Sequence, residues 1–210
     1  MKKILIVVDY QFDFSSPQGA LPVSNADIIA KNIQREINRN DYDAIIYTMD
    51  SHTPTQYEGS EEQTMFPNIH CEIGTKGWEL FNITPRNPEI AIQMKIDFFE
   101  NNATSTNIDK EFMFMKDKFD IWTGNKEYEE FFTKNFEQDT EINIVGVATN
   151  YCVFMNAMGY PQRGYKNVKL ISDCIEGIKE FPNGEEDPSY GENIMTMIQN
   201  GIKIIDPKEV

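Results

Sequence analysis

Short runs rich in Val and Ile recur along this chain with segments of helical periodicity between them, the pattern of a mostly parallel sheet whose crossovers are helices. KILIVV at 3–8 predicts the first strand. Residues 25–38 then place Ile28, Ile29, Ile33 and Ile37 near the 3.6-residue period, with Ser24 available as an N-cap, and predict a helix returning across the sheet. Further strands are expected at 44–49, 111–115, 142–147, 168–172 and 202–205. Helices are expected at 126–135, 151–163 and 190–199, the last stopped by Asn200-Gly201. The fold expected is α/β, in three layers, with a mostly parallel sheet of about six strands and helices on both faces. Residues 79–109 fit no single element: Pro85, Pro88 and the polar tract NNATSTN point to an irregular insertion over a sheet edge, with 91–99 either a strand or a helix.

No internal repeat and no Pro/Ser-rich linker divides the 210 residues, so a single domain over 1–210 is expected. Lys and Arg total 19 against 34 Asp and Glu, a net charge of −15 that repels polyphosphate and anionic lipid. Nucleic acid and membrane surfaces are therefore not expected as partners. The N-terminal MKKILIVVDYQ imitates a leader peptide only briefly: Asp9 interrupts the apolar run and no small-residue cleavage site follows, so it reads as a strand. No run approaches the roughly 18 apolar residues of a membrane span. Cys71, Cys152 and Cys174 are odd in number and far apart, which argues against a disulfide framework and for a reducing, cytoplasmic setting.

In an open parallel sheet, ligands bind beyond the carboxyl ends of the strands, so the residues just past each strand are the candidates for chemistry. Strand one ends at Asp9, strand two at Asp50 with His52 two residues on, and the strand at 111–115 at Lys116; the next runs into a turn that delivers Cys152 at a helix start. Each alone has an ordinary reading: an Asp as a turn former, a solvated Lys, a Cys as a small buried hydrophobe. Together they are a nucleophile, a cation and an acid/base. A helix N-terminus and a nearby ammonium both favour the thiolate, and a carboxylate can take the thiol proton and return it to a leaving group. Cys71 lies in a loop and Cys174, after the fifth strand, has no basic partner nearby in sequence, so both are assigned to packing.

Both histidines, His52 and His70, fall in the segment after strand two. Asp50 and His52 lie at i and i+2, on one side of an extended strand end, and Glu58, Glu61 and Glu62 precede His70. An Asp/His/Glu/His set for zinc, iron(II) or manganese is thus available; the alternative is that both histidines are ordinary loop residues.

VVDYQFDF, MDSH, FPNIHCEIGT, MKDKFDIW and GVATNYCV, in that order, resemble the isochorismatase-like cysteine hydrolases, and among them the nicotinamidases most closely. The matches run from the first strand to the helix after GVATNYCV; the last third agrees only in its alternation of strand and helix. The resemblance implies that Asp9 is the catalytic acid/base, Lys116 the catalytic lysine and Cys152 the nucleophile. Lys116 is preferred to Lys118 because only from Lys116 do Phe119 and Trp122 fall at the family's spacing. It implies an oxyanion hole from the backbone N–H groups of Ala148 and Cys152, with a non-proline cis peptide between Val147 and Ala148.

It further implies one divalent metal ion, zinc first with iron or manganese as alternatives, on Asp50, His52, His70 and a glutamate. Counting back from FPNIH gives Glu62, which is preferred, and counting forward from His52 gives Glu58. Phe14 and Phe66 match aromatic positions against a substrate ring, with Trp122 a further wall. The activity implied is metal-dependent hydrolysis of nicotinamide to nicotinate and ammonia through a cysteine thioester, in NAD salvage, or hydrolysis of another amide or carbamoyl compound by the same residues. The partner implied is a small-molecule substrate, and a homo-oligomer is left open. The chain departs from the pattern in having Phe12 where Asn is common and Asn150 where Asp is common.

Overall fold

The computed structural model describes residues 1–181 and 184–210. Among them, seven strands form one sheet: β1 Lys3–Val8, β2 Ala44–Asp50, β3 Ser105–Ile108, β4 Glu111–Lys116, β5 Glu141–Val147, β6 Val168–Glu176 and β7 Lys203–Ile205. Their order is β3-β4-β2-β1-β5-β6-β7, parallel throughout except for the antiparallel β3–β4 edge.

Alternation along the strands builds two cores. Leu5, Val7, Ile45, Tyr47 and Val145 face the layer containing the helix Ala30–Ile37 and the helix Glu89–Asn101. Ile4, Ile6, Ile46, Ile142 and Ile144 face the opposite layer, built from Tyr128–Asn135, Cys152–Gln162 and Ser189–Gln199. The three-layer α/β arrangement is the one expected, with one strand more. That strand, β3, and the helix Glu89–Asn101 occupy the segment to which no element was assigned.

At finer grain the residues 25–38 begin as a 3-10 turn over Ala26–Ile29, and its leading residue is Asn25 in the left-handed region (φ 64°), not the expected cap Ser24. Gly201 (φ 84°) does stop the last helix. Among the described residues no helix is long and apolar enough to cross a membrane.

The strand order reverses at β1, which pairs with β2 on one side and β5 on the other. The carboxyl ends of β1, β2, β4 and β5 consequently open onto one crevice.

Candidate active site

Lys116 is the hub of that crevice. Its Nζ lies 2.8 Å from Asp9 Oδ2, 2.9 Å from Asp50 Oδ1 and 3.6 Å from Cys152 Sγ, and it donates to the Lys118 carbonyl at 2.9 Å. Lys118 itself points to solvent and contributes only that oxygen. Strand register sets the arrangement, because Lys116 stands opposite Asp50 in the β2–β4 ladder. Asp9, just past β1, accepts from Thr48 Oγ1 of β2 at 2.6 Å. All four side chains are buried.

The charges follow from this packing. Burial disfavours the Lys116 ammonium, but Asp50 and Asp9 outweigh it and hold Lys116 charged well above its ordinary range. Burial raises the Asp9 carboxyl, only partly opposed by Lys116. Burial also pushes the Cys152 thiol up against the pull of Lys116, so the closed site favours a neutral thiol and needs a base beside it. Asp50 goes the other way: burial raises it, yet Lys116 and His52 hold it well below the usual carboxylate range.

Cys152 is the first residue of its helix, after the cis peptide Val147–Ala148. The N–H groups of Tyr151 and Val153 both close onto the Ala148 carbonyl, and the Cys152 N–H between them takes no part in that closure. The expected cis bond is thus present at the turn that leads into Cys152, beside the N–H groups expected to receive an oxyanion.

A second cluster adjoins the first through Asp50. Asp50, His52, Glu62 and His70 are all buried, with one ligating atom each inside a 4.8 Å sphere of mutual distances. His52 Nε2 lies 3.0 Å from Asp50 Oδ2 and 2.7 Å from Glu62 Oε2; His70 Nε2 lies 3.3 Å from Asp50 Oδ2. The structure brings in Glu62 and leaves Glu58 exposed at the end of the Pro54–Tyr57 turn. Glu62 is aimed inward by the short helix Glu61–Met65, whose Ser60 Oγ accepts from Gln63 N while Gln63 Oε1 accepts from Gly59 N, a reciprocal cap. His70 is turned by its other nitrogen, 3.3 Å from both the Tyr57 hydroxyl and the Asn68 carbonyl.

This donor set fits a divalent cation. Both Glu62 oxygens are buried without a hydrogen bond among the described residues; the 2.7 Å approach of His52 does not have hydrogen-bond alignment. Three buried carboxyl groups, Asp9, Asp50 and Glu62, gather about one buried ammonium, a surplus of acidic groups that favours further positive charge beside them; burial raises the Asp9 and Glu62 carboxyls. The same demand for positive charge acts on His52: burial would lower it, but Asp50 and Glu62 raise it to about 9.

The two clusters floor a pocket walled by Phe14, Leu21, Phe66, Phe119, Tyr151 and Ile178, with about 20 Å³ of free space, room for roughly one water. Phe14 packs at a tilt against His70 at 5.2 Å between ring centroids, and Tyr151 meets Phe66 at 5.4 Å and Phe119 at 5.8 Å. A larger cavity of about 280 Å³, beneath the helix Glu89–Asn101, holds none of these reactive groups.

Trp122 is not a wall of this pocket. Its indole lies in the opposite core among Tyr128, Phe132 and Tyr160, donates to the Asn156 carbonyl at 3.1 Å, and sits so close to Gly159 that a Cβ there would overlap it. The Asp120 carboxylate caps the turn that begins at Ile121, and this sends Trp122 away from the crevice. Phe119, three residues earlier, takes the expected place.

Sequence reasoning missed Phe119, Tyr151, Ile178 and Gln11. The Gln11 side chain clamps the Asp50 backbone, accepting from its N–H at 2.7 Å and donating to its carbonyl at 2.8 Å. The signal for Gln11 and Tyr151 was adjacency to reactive residues; Ile178, beyond β6, gave none. Phe12 lies outside the pocket, beneath the Lys76 ammonium at 4.1 Å.

The isochorismatase domain model matches residues 3–183. The nicotinamidase of Saccharomyces cerevisiae is 26% identical over 213 aligned positions covering 86% of this chain and 90% of the yeast protein. The fold is shared with the pyrazinamidase of Pyrococcus horikoshii solved with zinc, at TM-score 0.71 and 24% identity over 98% of this chain and 99% of that one. It is shared also with the L. infantum protein PnC1 solved with nicotinate, at TM-score 0.73 and 17% identity over 99% and 93%. A match spanning strands β1 to β6 and all four reactive strand ends places this chain in the isochorismatase family of cysteine hydrolases.

Proposed function

We propose that this chain, acting as one domain over 1–210, hydrolyses nicotinamide to nicotinate and ammonia. The observation that supports the reading most is the sharing of Asp50: one oxygen meets the Lys116 ammonium of an Asp9–Lys116–Cys152 set, and the other faces both histidines of a buried ligand cluster. Reactive thiol and ring anchor are then built at a fixed spacing. The yeast relative is named a nicotinamidase, and the L. infantum neighbour was solved with nicotinate, the product of this reaction.

Asp9 takes the Cys152 thiol proton, and the sulfur attacks the amide carbon, forming the C–S bond. The oxyanion is received by the N–H groups of Ala148 and Cys152, donors of a kind typically worth about 3–4 kcal/mol of barrier. Asp9 returns the proton to the amide nitrogen, the C–N bond breaks, and ammonia leaves. Water, deprotonated by Asp9, cleaves the thioester to the acid and the free thiol. Lys116 keeps its charge throughout, holding Asp9 in place and stabilising the thiolate. Phe14, Phe66, Phe119 and Tyr151 pack the ring and exclude water.

Asp50, His52, Glu62 and His70 would hold a divalent ion, zinc first, with iron or manganese as alternatives. When bound, it supplies a Lewis-acid anchor for the pyridine nitrogen. The setting proposed is pyridine-nucleotide salvage in the cytoplasm.

Ammonia release from nicotinamide by metal-loaded protein, with and without a chelator, tests the reading. Turnover that falls on chelation and returns with zinc supports it. No release from the loaded protein rejects nicotinamide and turns the search to carbamoyl compounds and other small amides.

A further inference from the structure

Two pocket walls, Tyr151 and Ile178, come from segments far apart in sequence, and one buried carboxylate connects them. Asp187 is 5% exposed and belongs to neither cluster described above. Its Oδ2 accepts from the Tyr151 hydroxyl at 2.7 Å and from Asn150 Nδ2 at 3.0 Å, while its Oδ1 accepts from Ser189 N at 2.9 Å. Asn150 passes the contact on: its Nδ2 also donates to the Ile178 carbonyl at 3.0 Å, and its Oδ1 accepts from the Ile178 N–H at 3.0 Å. Space is reserved for this link, since a Cβ on Gly177 would overlap Asn150 Oδ1 at 2.7 Å.

We infer that Asp187 is a positioning residue for the amide pocket: it holds Tyr151 directly, and Ile178 through Asn150, as one fixed wall against the substrate ring. The inference rests on the reading that this pocket takes the amide. Two features make it a matter of the wall rather than of the nucleophile. Asn150 and Tyr151 face Asp187, whereas Cys152 turns to Lys116. The Tyr151 ring packs against Phe66 and Phe119, whereas Phe14 packs against His70 of the candidate ligand cluster. A charged acceptor is worth more than neutral bonds of the same geometry, and losing it takes from the Tyr151 hydroxyl its 2.7 Å acceptor and from the Asn150 amide one of three, the others being the Ile178 carbonyl and Ser189 Oγ at 2.8 Å. A loosened wall weakens ground-state and transition-state binding alike, which raises KM and leaves kcat in place.

The test is a double-mutant cycle of Asp187→Ala, Tyr151→Phe and both together, read as KM and kcat for nicotinamide. Asp187→Ala is expected to raise KM roughly tenfold and Tyr151→Phe roughly threefold, with kcat within about threefold of wild type. Because the hydroxyl acts through Asp187, the double variant should be no worse than Asp187→Ala alone. Hydrogen–deuterium exchange supplies a readout free of any substrate: the Ile178 amide should exchange at least about tenfold faster in Asp187→Ala.

Multiplying KM effects in the double variant, a fall in kcat with KM unchanged, or Ile178 exchange at the wild-type rate would each overturn the inference. Should Asp187→Ala fail to fold, Tyr151→Phe removes a single oxygen, and an unchanged KM there overturns it equally. If wild-type protein leaves nicotinamide intact, that rejects the substrate, and the Ile178 exchange still decides the wall.

Discussion

Lys116 and Asp50 are register partners across the β2–β4 ladder, and the ammonium of one sits 2.9 Å from the carboxylate of the other. A parallel ladder repeats so regularly that this pairing needs no loop to arrange it. Asp50 then divides its two oxygens between the lysine and the histidines, so the reactive set and the ligand set cannot move independently.

Removing the ammonium leaves Asp9 and Asp50 buried and facing each other. Lys116→Met should lower the free energy of unfolding by about 3–5 kcal/mol and abolish turnover. Urea unfolding of the variant checks the first expectation, and the amidase assay the second.

Cys152 and Cys174 should separate cleanly. Cys174 is buried beside Asp173 and Arg35 and does not line the pocket, and Cys174→Ala should keep nearly all activity at a stability cost of about 1–2 kcal/mol. Cys152→Ala should unfold near the wild-type midpoint and show less than about 1% of its turnover. Parallel thermal melts and assays of the two variants make the comparison.

Metal content should follow Glu62 and ignore Glu58. Glu62→Ala should weaken zinc binding by at least about tenfold, and Glu58→Ala should leave it unchanged, as measured by competition with a chromophoric chelator. Equal affinities in the two variants would remove Glu62 from the ligand set.

One contribution to the pH dependence of stability is visible away from the site. Arg35 holds the Asp173 carboxyl below its ordinary value through paired hydrogen bonds of 2.9 and 3.0 Å. A carboxyl lowered on folding stabilises above its unfolded pKa, and that contribution is lost as pH falls through the lowered folded value. Both side chains are about a third exposed or more, so solvent screening keeps the contribution to roughly 0.5 kcal/mol. Wild type should exceed Asp173→Asn by that amount from pH 7 to 5, with the difference fading below about pH 4.

Reactive residues that follow apolar runs made Asp9, Asp50, Lys116 and Cys152 legible in the sequence, because a parallel sheet collects its strand ends at one edge. The helix Glu89–Asn101 was not legible, and its residues explain why. Ile90, Ile92, Met94, Ile96 and Phe98 alternate with the period of a strand, yet only Ile90 and Met94, four residues apart, are buried; Ile92 and Ile96 face solvent. Strand β3 hid in a polar tract because an edge strand pairs on one side only and needs no apolar run. Trp122 was misplaced for a different reason. Position in a motif fixes where the backbone passes, and a side-chain cap from Asp120 decided which face the indole took. The two counts left Glu58 and Glu62 open as the candidate ligand because neither shows the Ser60 cap on the helix that turns Glu62 inward.

The measurement that tests the proposed chemistry most directly is intact mass spectrometry of metal-loaded enzyme quenched during turnover of nicotinamide. The expected result is a mass gain of one nicotinoyl group, mapped to Cys152 and absent from Cys152→Ala. Nicotinate production by Cys152→Ala at the wild-type rate, or an acyl group carried on any other residue, would contradict a Cys152 thioester.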